Sequence, residues 1–391
     1  MASINYGANT IKIFHFHNGS GGGVLSVIRN LLLYKQHPSI ENHVIYTINR
    51  DIIKNFEPPG LAGSASEQVF YYSSKWNFYY TCKRVAKLLP NEKAVIIAND
   101  WLELGMVSHF GLCNPVIQIL HGDYDYYYNL SLKHNEWIDA FVTVAEVMAD
   151  KLRNKMPDRI NDIYYLPFPV PDTTSKNFLN TSTPLQLIFI GRLTREKGYD
   201  LLPLIEKELR NKNIEVKWHI VGGVAKDEKS AWESDTQVQF HGQLPNEKVI
   251  GLMQKMDCLV LPSLAEGMPV TVVEAMKVGL TCLVNDIPGG IQELIMNGLT
   301  GYKVEKNKVS LYVEVLTQLS NDRTLLKKIG ENARAKAIRN FDAIRNTRYY
   351  EQQIEKCYRL KKEHRKVKKV YGSRLDRPWI PNFITKTIRS F

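Results

Sequence analysis

Short runs of apolar residues alternate along the chain with longer stretches whose apolar positions recur every three to four residues. The first run, residues 11–16 (IKIFHF), ends in the polar, glycine-rich text NGSGGG, which leads into VLSVIRNLLLYKQ at helical spacing. That order predicts strand, glycine loop and helix. Residues 43–47, 94–98, 116–120 and 141–144 repeat the short apolar pattern, separated by segments such as 75–89 that can form amphipathic helices. Strands that alternate with helices predict a parallel, doubly wound sheet.

Between residues 166 and 183 the text becomes LPFPVPDTTSKNFLNTST, where alternating prolines and a Ser/Thr/Asn cluster exclude both a helix and a central strand. The same pattern then restarts, with strand-like runs LQLIFIG, VKWHIVGG, VQFHG, CLVLP and LTCLVND and helical text between them. The expected division is residues 1–166 as a first Rossmann-like domain, 167–184 as a linker, 185–340 as a second Rossmann-like domain and 341–391 as a helical, basic tail. No period of 20 to 50 residues signals a solenoid.

Composition changes this picture little. In 391 residues, 44% are hydrophobic and 23% charged, the profile of a folded protein large enough for two domains. The net charge of +11 favours anionic partners: nucleic acid, acidic lipid or phosphorylated small molecules. No apolar run is long enough to span a bilayer, and the first residues lack a basic segment followed by an apolar one. The cysteines Cys82, Cys113, Cys258, Cys282 and Cys357 are too far apart for a zinc spacing, so a reducing cytoplasm is expected.

The most informative stretch is DCLVLPSLAEGMPVTVVEAMKVGLTCLVND, residues 257–286. CLVLP predicts a buried strand, Pro269 sits where a helix can begin, and Gly279 can end it. A helix N-terminus beyond the carboxyl end of a strand offers N–H groups and a favourable dipole to an anion, which places a phosphate near residues 268–271. Glu266 before the helix and Glu274 within it flank that position, and carboxylates accept hydrogen bonds from sugar hydroxyls. The bland alternative is a Glu that complements the helix dipole and an ordinary surface Glu. In IFIGRLTREKGYDLL, Arg192 and Lys197 follow a strand end and suit a diphosphate, or else form a solvated turn.

These motifs resemble the retaining GT-B glycosyltransferases of family 4 (glycosyl transferases group 1). The resemblance rests on G-R-L-x-x-x-K-G at residues 191–198, H-G-x-L at 241–244 and E-G-x-P-x-x-x-x-E at 266–274, and spans roughly residues 185–304. It implies two Rossmann-like doubly wound parallel-sheet domains facing a central cleft. It also implies that Glu266 contacts the donor sugar, Glu274 holds the ribose hydroxyls, and Arg192 and Lys197 hold the diphosphate. Backbone at Gly267, Met268, Pro269, Val270 and Thr271 would meet sugar and phosphate, and the turn beginning at Gly242 would face the base.

The first half matches less fully. Gly19, Gly21, Gly22 and Gly23 form a loop like the family's glycine loop, with Gly22 and Gly23 near the donor, although Val24 breaks a G-x-G-x-x-G register. By the same resemblance His121, just after a strand, faces the donor sugar; a structural histidine is the alternative. Asp100, Asp123 and Asp125 hold loop positions where no base is assignable. Tyr124, Tyr126, Tyr127 and Tyr128 either stack on an acceptor or pack a lid. His15 and His17 share a strand face, but further metal ligands are not apparent.

The expected activity is transfer of a hexose from a UDP- or GDP-sugar to a hydroxyl of a glycan or glycolipid acceptor with retained configuration, in bacterial surface polysaccharide or lipopolysaccharide synthesis. No cofactor or metal is expected, because the cations and the helix dipole neutralise the leaving diphosphate. A nucleotide-sugar epimerase of the same fold is the rival enzyme. A basic nucleic-acid-binding protein is permitted by the charge, but the excess lies mainly in the tail and no recognition module is evident, so nucleic acid is not expected as a partner. In the tail, Lys361, Lys362, Arg365, Lys366, Lys368, Lys369 and Arg374 precede Trp379, Ile380, Phe383, Ile384 and Phe391. Either this segment docks peripherally on an anionic membrane at its cytoplasmic face, or it packs Trp379 and Phe383 back onto the first domain.

Overall fold

A computed structural model describes residues 10–20, 22–175, 184–223, 232–233, 236–360 and 373–390. The chain divides into two units, one of Met1–Pro169 with Ala343–Phe391 and one of Val170–Asp342.

In the first unit the elements run β1 (Ile11–His17), α1 (Gly23–Leu33), β2 (Ile40–Asn49), β3 (Ser64–Tyr72), α2 (Phe78–Ala86), β4 (Ala94–Ala98), α3 (Trp101–Phe110), β5 (Val116–Leu120), α4 (Asp125–Lys133), β6 (Ala140–Thr143), α5 (Glu146–Lys155) and β7 (Ile163–Tyr165). The strands form one sheet in the order β3-β2-β1-β4-β5-β6-β7, and every pairing is parallel. Every residue of β4, β5 and β6 is buried, as expected of strands covered on both faces. Two strands are absent from the sequence reading for physical reasons. β3 lies at the sheet edge with half-exposed polar residues, and the edge strand β7 is too short to show a period.

The second unit runs β8 (Leu185–Ile190), α6 (Leu202–Asn211), β9 (Val216–Val221), β10 (Val238–Gly242), α7 (Asn246–Met253), β11 (Cys258–Leu261), α8 (Val270–Val278), β12 (Thr281–Asn285), α9 (Ile291–Leu294), β13 (Tyr302–Val304), α10 (Val309–Asn321) and α11 (Arg323–Asn340). Its strands pair in parallel in the order β10-β9-β8-β11-β12-β13. Both units are therefore Rossmann-like sheets in which the strand order reverses once, beside β1 and β4 in the first and beside β8 and β11 in the second.

The chain enters and leaves the second unit at adjacent positions, joined by a parallel bridge between Val170 and Asp342. Lys277, near the end of α8 and fully buried, ties them together: its Nζ donates to the carbonyl oxygens of Val170 (2.5 Å) and Phe341 (3.0 Å) and to Asp172 Oδ1 (2.6 Å). Burial pushes the ammonium pKa down and Asp172 opposes that shift.

The chain re-enters the first unit as α12 (Ala343–Arg359), whose Tyr350 hydroxyl donates to Leu166 O at 2.9 Å and whose Glu351 accepts from the N–H groups of Gln36 (2.8 Å) and His37 (3.1 Å). A last segment ends in α13 (Asn382–Ile388) and is fastened to the start of α2. Asp376 accepts from Phe78 N at 2.6 Å, Asn382 Oδ1 accepts from Asn77 N at 2.7 Å, and the Tyr80 hydroxyl donates to Pro378 O at 2.8 Å. Arg389 closes the clamp on Asp376 (3.0 Å) and Trp76 O (2.7 Å). The tail thus packs on the first unit, but not through the expected residues: Trp379 and Phe383 are 71% and 70% exposed, because hydrogen bonds from polar groups do the fastening. Lys361, Lys362, Arg365, Lys366, Lys368, Lys369 and Phe391 lie outside the described residues.

Replacing Lys277 by Met keeps the apolar stem and removes a charged donor from two backbone carbonyls. The expected cost is about 1–3 kcal/mol, read as a lower midpoint for the chemical unfolding of the second unit in the full-length protein; an unchanged midpoint would contradict this role.

Candidate functional site

In the second unit the three motifs meet at the carboxyl edge of the sheet, where β10, β9, β8 and β11 end side by side. Backbone alone builds the floor: Gly191 N donates to Val221 O (3.0 Å) and Gly222 N to Gly242 O (2.9 Å). A Cβ on Gly222 would lie 1.9 Å from the carbonyl oxygen of Gly191, so the edge closes only without a side chain there.

The loops after β8 and β11 touch directly. Gly198 has φ +72°, and a Cβ there would lie 2.0 Å from Pro262 O. Leu264 N donates to Glu196 O at 2.8 Å across the same contact. That approach brings Lys197 Nζ to 2.7 Å from Glu266 Oε1, with both side chains largely buried. Arg192 is not drawn into this pair; it is 65% exposed and meets Glu196 at 3.2 Å.

Glu274 is no ordinary surface residue. It is buried on α8 and accepts from Asn246 Nδ2 at 2.9 Å, at the start of α7. Pro269 occupies the position before α8, no side chain caps the helix, and its first turn carries no acidic residue. Val272 and Val273 turn their N–H groups back to Pro269 O. Gly267 and Met268 are buried beneath Gly290, whose N–H donates to Gly267 O at 2.5 Å, while Thr271 is half-buried. Behind the loop, Asn285 Nδ2 donates to Pro262 O (2.8 Å) and Ser263 O (3.0 Å), and the Tyr312 hydroxyl holds the other end of Asn285 at 3.0 Å.

The first unit places a second group at the corresponding edge. Gly19 N donates to His17 Nδ1 at 3.1 Å, so the histidine at the end of β1 anchors the glycine turn. Gly22 has φ +128° and open space where a Cβ would stand, Gly23 begins α1, and Gly21 lies outside the described residues. His121 Nε2 lies 2.7 Å from Asn99 Oδ1, and Asn99 Nδ2 donates to Phe16 O at 2.7 Å. With the amide oriented that way, Nε2 of His121 carries the proton and Nδ1 is the acceptor edge of a neutral ring. Burial, with His17 nearby, pushes the His121 pKa down to about 3. Burial likewise brings His17 and His15 to about 4, and His15 pairs with Asn42 Oδ1 at 3.0 Å.

The acidic and tyrosine clusters separate. Asp123 is spent on the Tyr128 hydroxyl (2.7 Å) and Lys151 (2.5 Å), and Tyr128 is buried. Asp100 accepts from Trp101 N at 2.8 Å and from the hydroxyl of Tyr126, which is 46% exposed, while Asp125 lies in the first turn of α4. Burial, aided by Asp100, pushes the carboxyl of Glu103 up to about 8. Asn99, Asn246 and Asn285 are absent from the sequence reading. Each is a buried or partly buried amide at an element boundary, and the sequence carries no sign of which carboxylate or carbonyl it will meet.

Residues 172–336 match the family described as Glycosyl transferases group 1. An Escherichia coli protein named UDP-Gal:alpha-D-GlcNAc-diphosphoundecaprenol alpha-1,3-galactosyltransferase is 30% identical over 106 residues, 27% of this chain and 26% of that protein. The capsular polysaccharide biosynthesis glycosyltransferase CapM of Staphylococcus aureus is 28% identical over 162 residues, 40% of this chain and 42% of its own length. The chain thus spans about half or less of the curated relatives it matches. The crystal structure of Anabaena HepE in complex with UDP-glucose superposes with a TM-score of 0.70 at 16% identity, over 88% of this chain and all of that one, which shows the fold.

The low histidine pKa values have a signed consequence. From about pH 6.5 downward the unfolded chain takes up protons that native His15, His17 and His121 refuse until about 4, 4 and 3. Stability present above that pH is therefore lost as pH falls toward 4. NMR titration should show the imidazoles of His15, His17 and His121 without a protonation step above about pH 5, while thermal unfolding moves to lower temperature across the same window. A normal titration of His121 would refute its assignment as a neutral ring.

Proposed function

We propose that this chain, whose residues 172–336 belong to the glycosyl transferases group 1 family and whose fold is GT-B, is a retaining hexosyltransferase. It moves a sugar from a nucleotide-diphosphate donor to a hydroxyl of a surface-polysaccharide precursor. The observation that carries this reading is the convergence of Lys197, Glu266, Glu274 and the unencumbered start of α8 at the strand-order reversal of one parallel sheet.

Position supports the following roles. Lys197, held in place by Glu266 before the donor arrives, neutralises the diphosphate, and Arg192 on the same turn would leave Glu196 to join it. The first N–H groups of α8 face the phosphate next to the sugar. Glu266 accepts from a sugar hydroxyl, and Glu274, steadied by Asn246, accepts from the ribose. In the first unit, the neutral edge of His121 suits a sugar hydroxyl without adding charge. The bond from the anomeric carbon to the phosphate oxygen breaks, the acceptor oxygen bonds to that carbon from the same face, and the acceptor's proton passes to the departing phosphate oxygen. Charge that develops on the diphosphate is met by the held Lys197 ammonium, by Arg192 and by a helix dipole, so the reaction is proposed to run without a metal ion. A uridine nucleotide and a lipid-linked glycan are the substrates supported first, by the named ligand of HepE and the named acceptor of the E. coli relative.

Steady-state kinetics with UDP-hexoses and a polyprenyl-diphosphate-linked sugar test this. Lys197→Ala should lower kcat/KM by roughly 2–4 kcal/mol; Glu266→Ala should act mainly on kcat and Glu274→Ala mainly on donor KM, because remote contacts bind ground and transition states alike. EDTA should leave the rate unchanged. Near-normal activity in folded variants, or strict dependence on added Mg²⁺ or Mn²⁺, would overturn the assignment.

A further inference from the structure

No helix among the described residues is long and apolar enough to cross a membrane, yet the end of the chain displays an apolar ridge. Trp379 and Phe383 are followed on α13 by Ile384 (39% exposed) and Ile388 (51%), four residues apart and so on one helix face. Thr385, between them in sequence, is buried, and Arg389, one turn later, is engaged with Asp376. The ridge therefore points away from the domain because polar groups hold the other side down. The guanidinium of Arg377 lies 5.8 Å from the centre of the Trp379 ring.

We propose that this ridge is a docking surface for an anionic lipid bilayer. Charge complementarity selects the occupant. Among residues 373–390 the cations are Arg374, Arg377, Lys386 and Arg389, and the single carboxylate, Asp376, is buried and paired. An apolar ridge on a segment whose unburied charges are all cationic fits acidic headgroups over an apolar interior, and Trp suits the boundary between them. The ridge is short, so neither burial nor charge suffices alone, and docking is reversible and salt-sensitive.

The topology gives the surface a purpose. The segment is fastened to Asn77 and Phe78, at the start of α2, and so at the same sheet edge as the loops after β1 and β4. The Phe78 ring lies 4.4 Å from that of Trp101, the residue after Asp100. Docking would hold the His121 and Asp100 edge of the first unit near the headgroups, where a lipid-linked acceptor presents its sugar. This purpose rests on the proposed function, but the surface itself does not.

Co-sedimentation of the full-length protein with vesicles tests it. Phosphatidylglycerol-containing vesicles at low salt should carry the protein down, pure phosphatidylcholine vesicles should not, and about 0.5 M NaCl should release it. The Trp379→Ser/Phe383→Ser double variant should lose at least about ten-fold in partitioning, with unchanged thermal unfolding and an unchanged thermal shift on UDP addition. As a second readout, vesicles should blue-shift the emission of the wild type but not of Trp379→Phe. Absence of binding to anionic vesicles at low salt, undiminished binding of the double variant, or sedimentation only with protein-containing membranes would overturn the proposal. Loss of the UDP shift with vesicle binding intact would instead refute the transferase reading alone.

Discussion

Two backbone loops of the second unit can touch only because Gly198 has no side chain. With φ +72° and the Pro262 carbonyl oxygen where a Cβ would stand, no L residue fits without moving a loop. The contact sets the spacing between the cationic turn after β8 and the acidic loop after β11, and so the 2.7 Å pair of Lys197 and Glu266. Everything behind it supports the same approach. Gly191, Gly222 and Gly242 close the floor, Asn285 grips the Pro262 and Ser263 carbonyls, and Gly290 holds Gly267. A parallel sheet places these loops together because its strand order reverses between β8 and β11, leaving a crevice that the crossover helices cannot fill.

The first unit solves a different problem with neutral groups. His17 holds the glycine turn, Asn99 fixes the His121 ring, and burial keeps both imidazoles uncharged. The loops after β8 and β11 instead bring a cation and a carboxylate together, Lys197 with Glu266.

The end of the chain separates attachment from display. Asp376, Asn382 and Arg389 make the attachment through hydrogen bonds, which leaves Trp379, Phe383, Ile384 and Ile388 on the outside. A tail fastened by its apolar residues would have buried them. One segment is thus a strap that leaves its apolar residues on display, and these residues form the surface proposed above to meet a bilayer.

The sequence by itself determined the strands buried on both faces, because β4, β5, β8, β11 and β12 are apolar runs bounded by turns, and it determined the loop text around Lys197, Glu266 and α8, because the spacing of Gly, Pro and charged residues is local. Edge strands β3, β7 and β13 were not legible, since exposure on one side dilutes the pattern and three residues carry no period. Nor could the sequence say that Lys197 meets Glu266 while Arg192 stays in solvent, that Asn246 reaches Glu274, or that Lys277 joins Val170 to Phe341. Those pairs lie up to 107 residues apart, and only closure of the sheets selects one polar partner among the many that the chain offers.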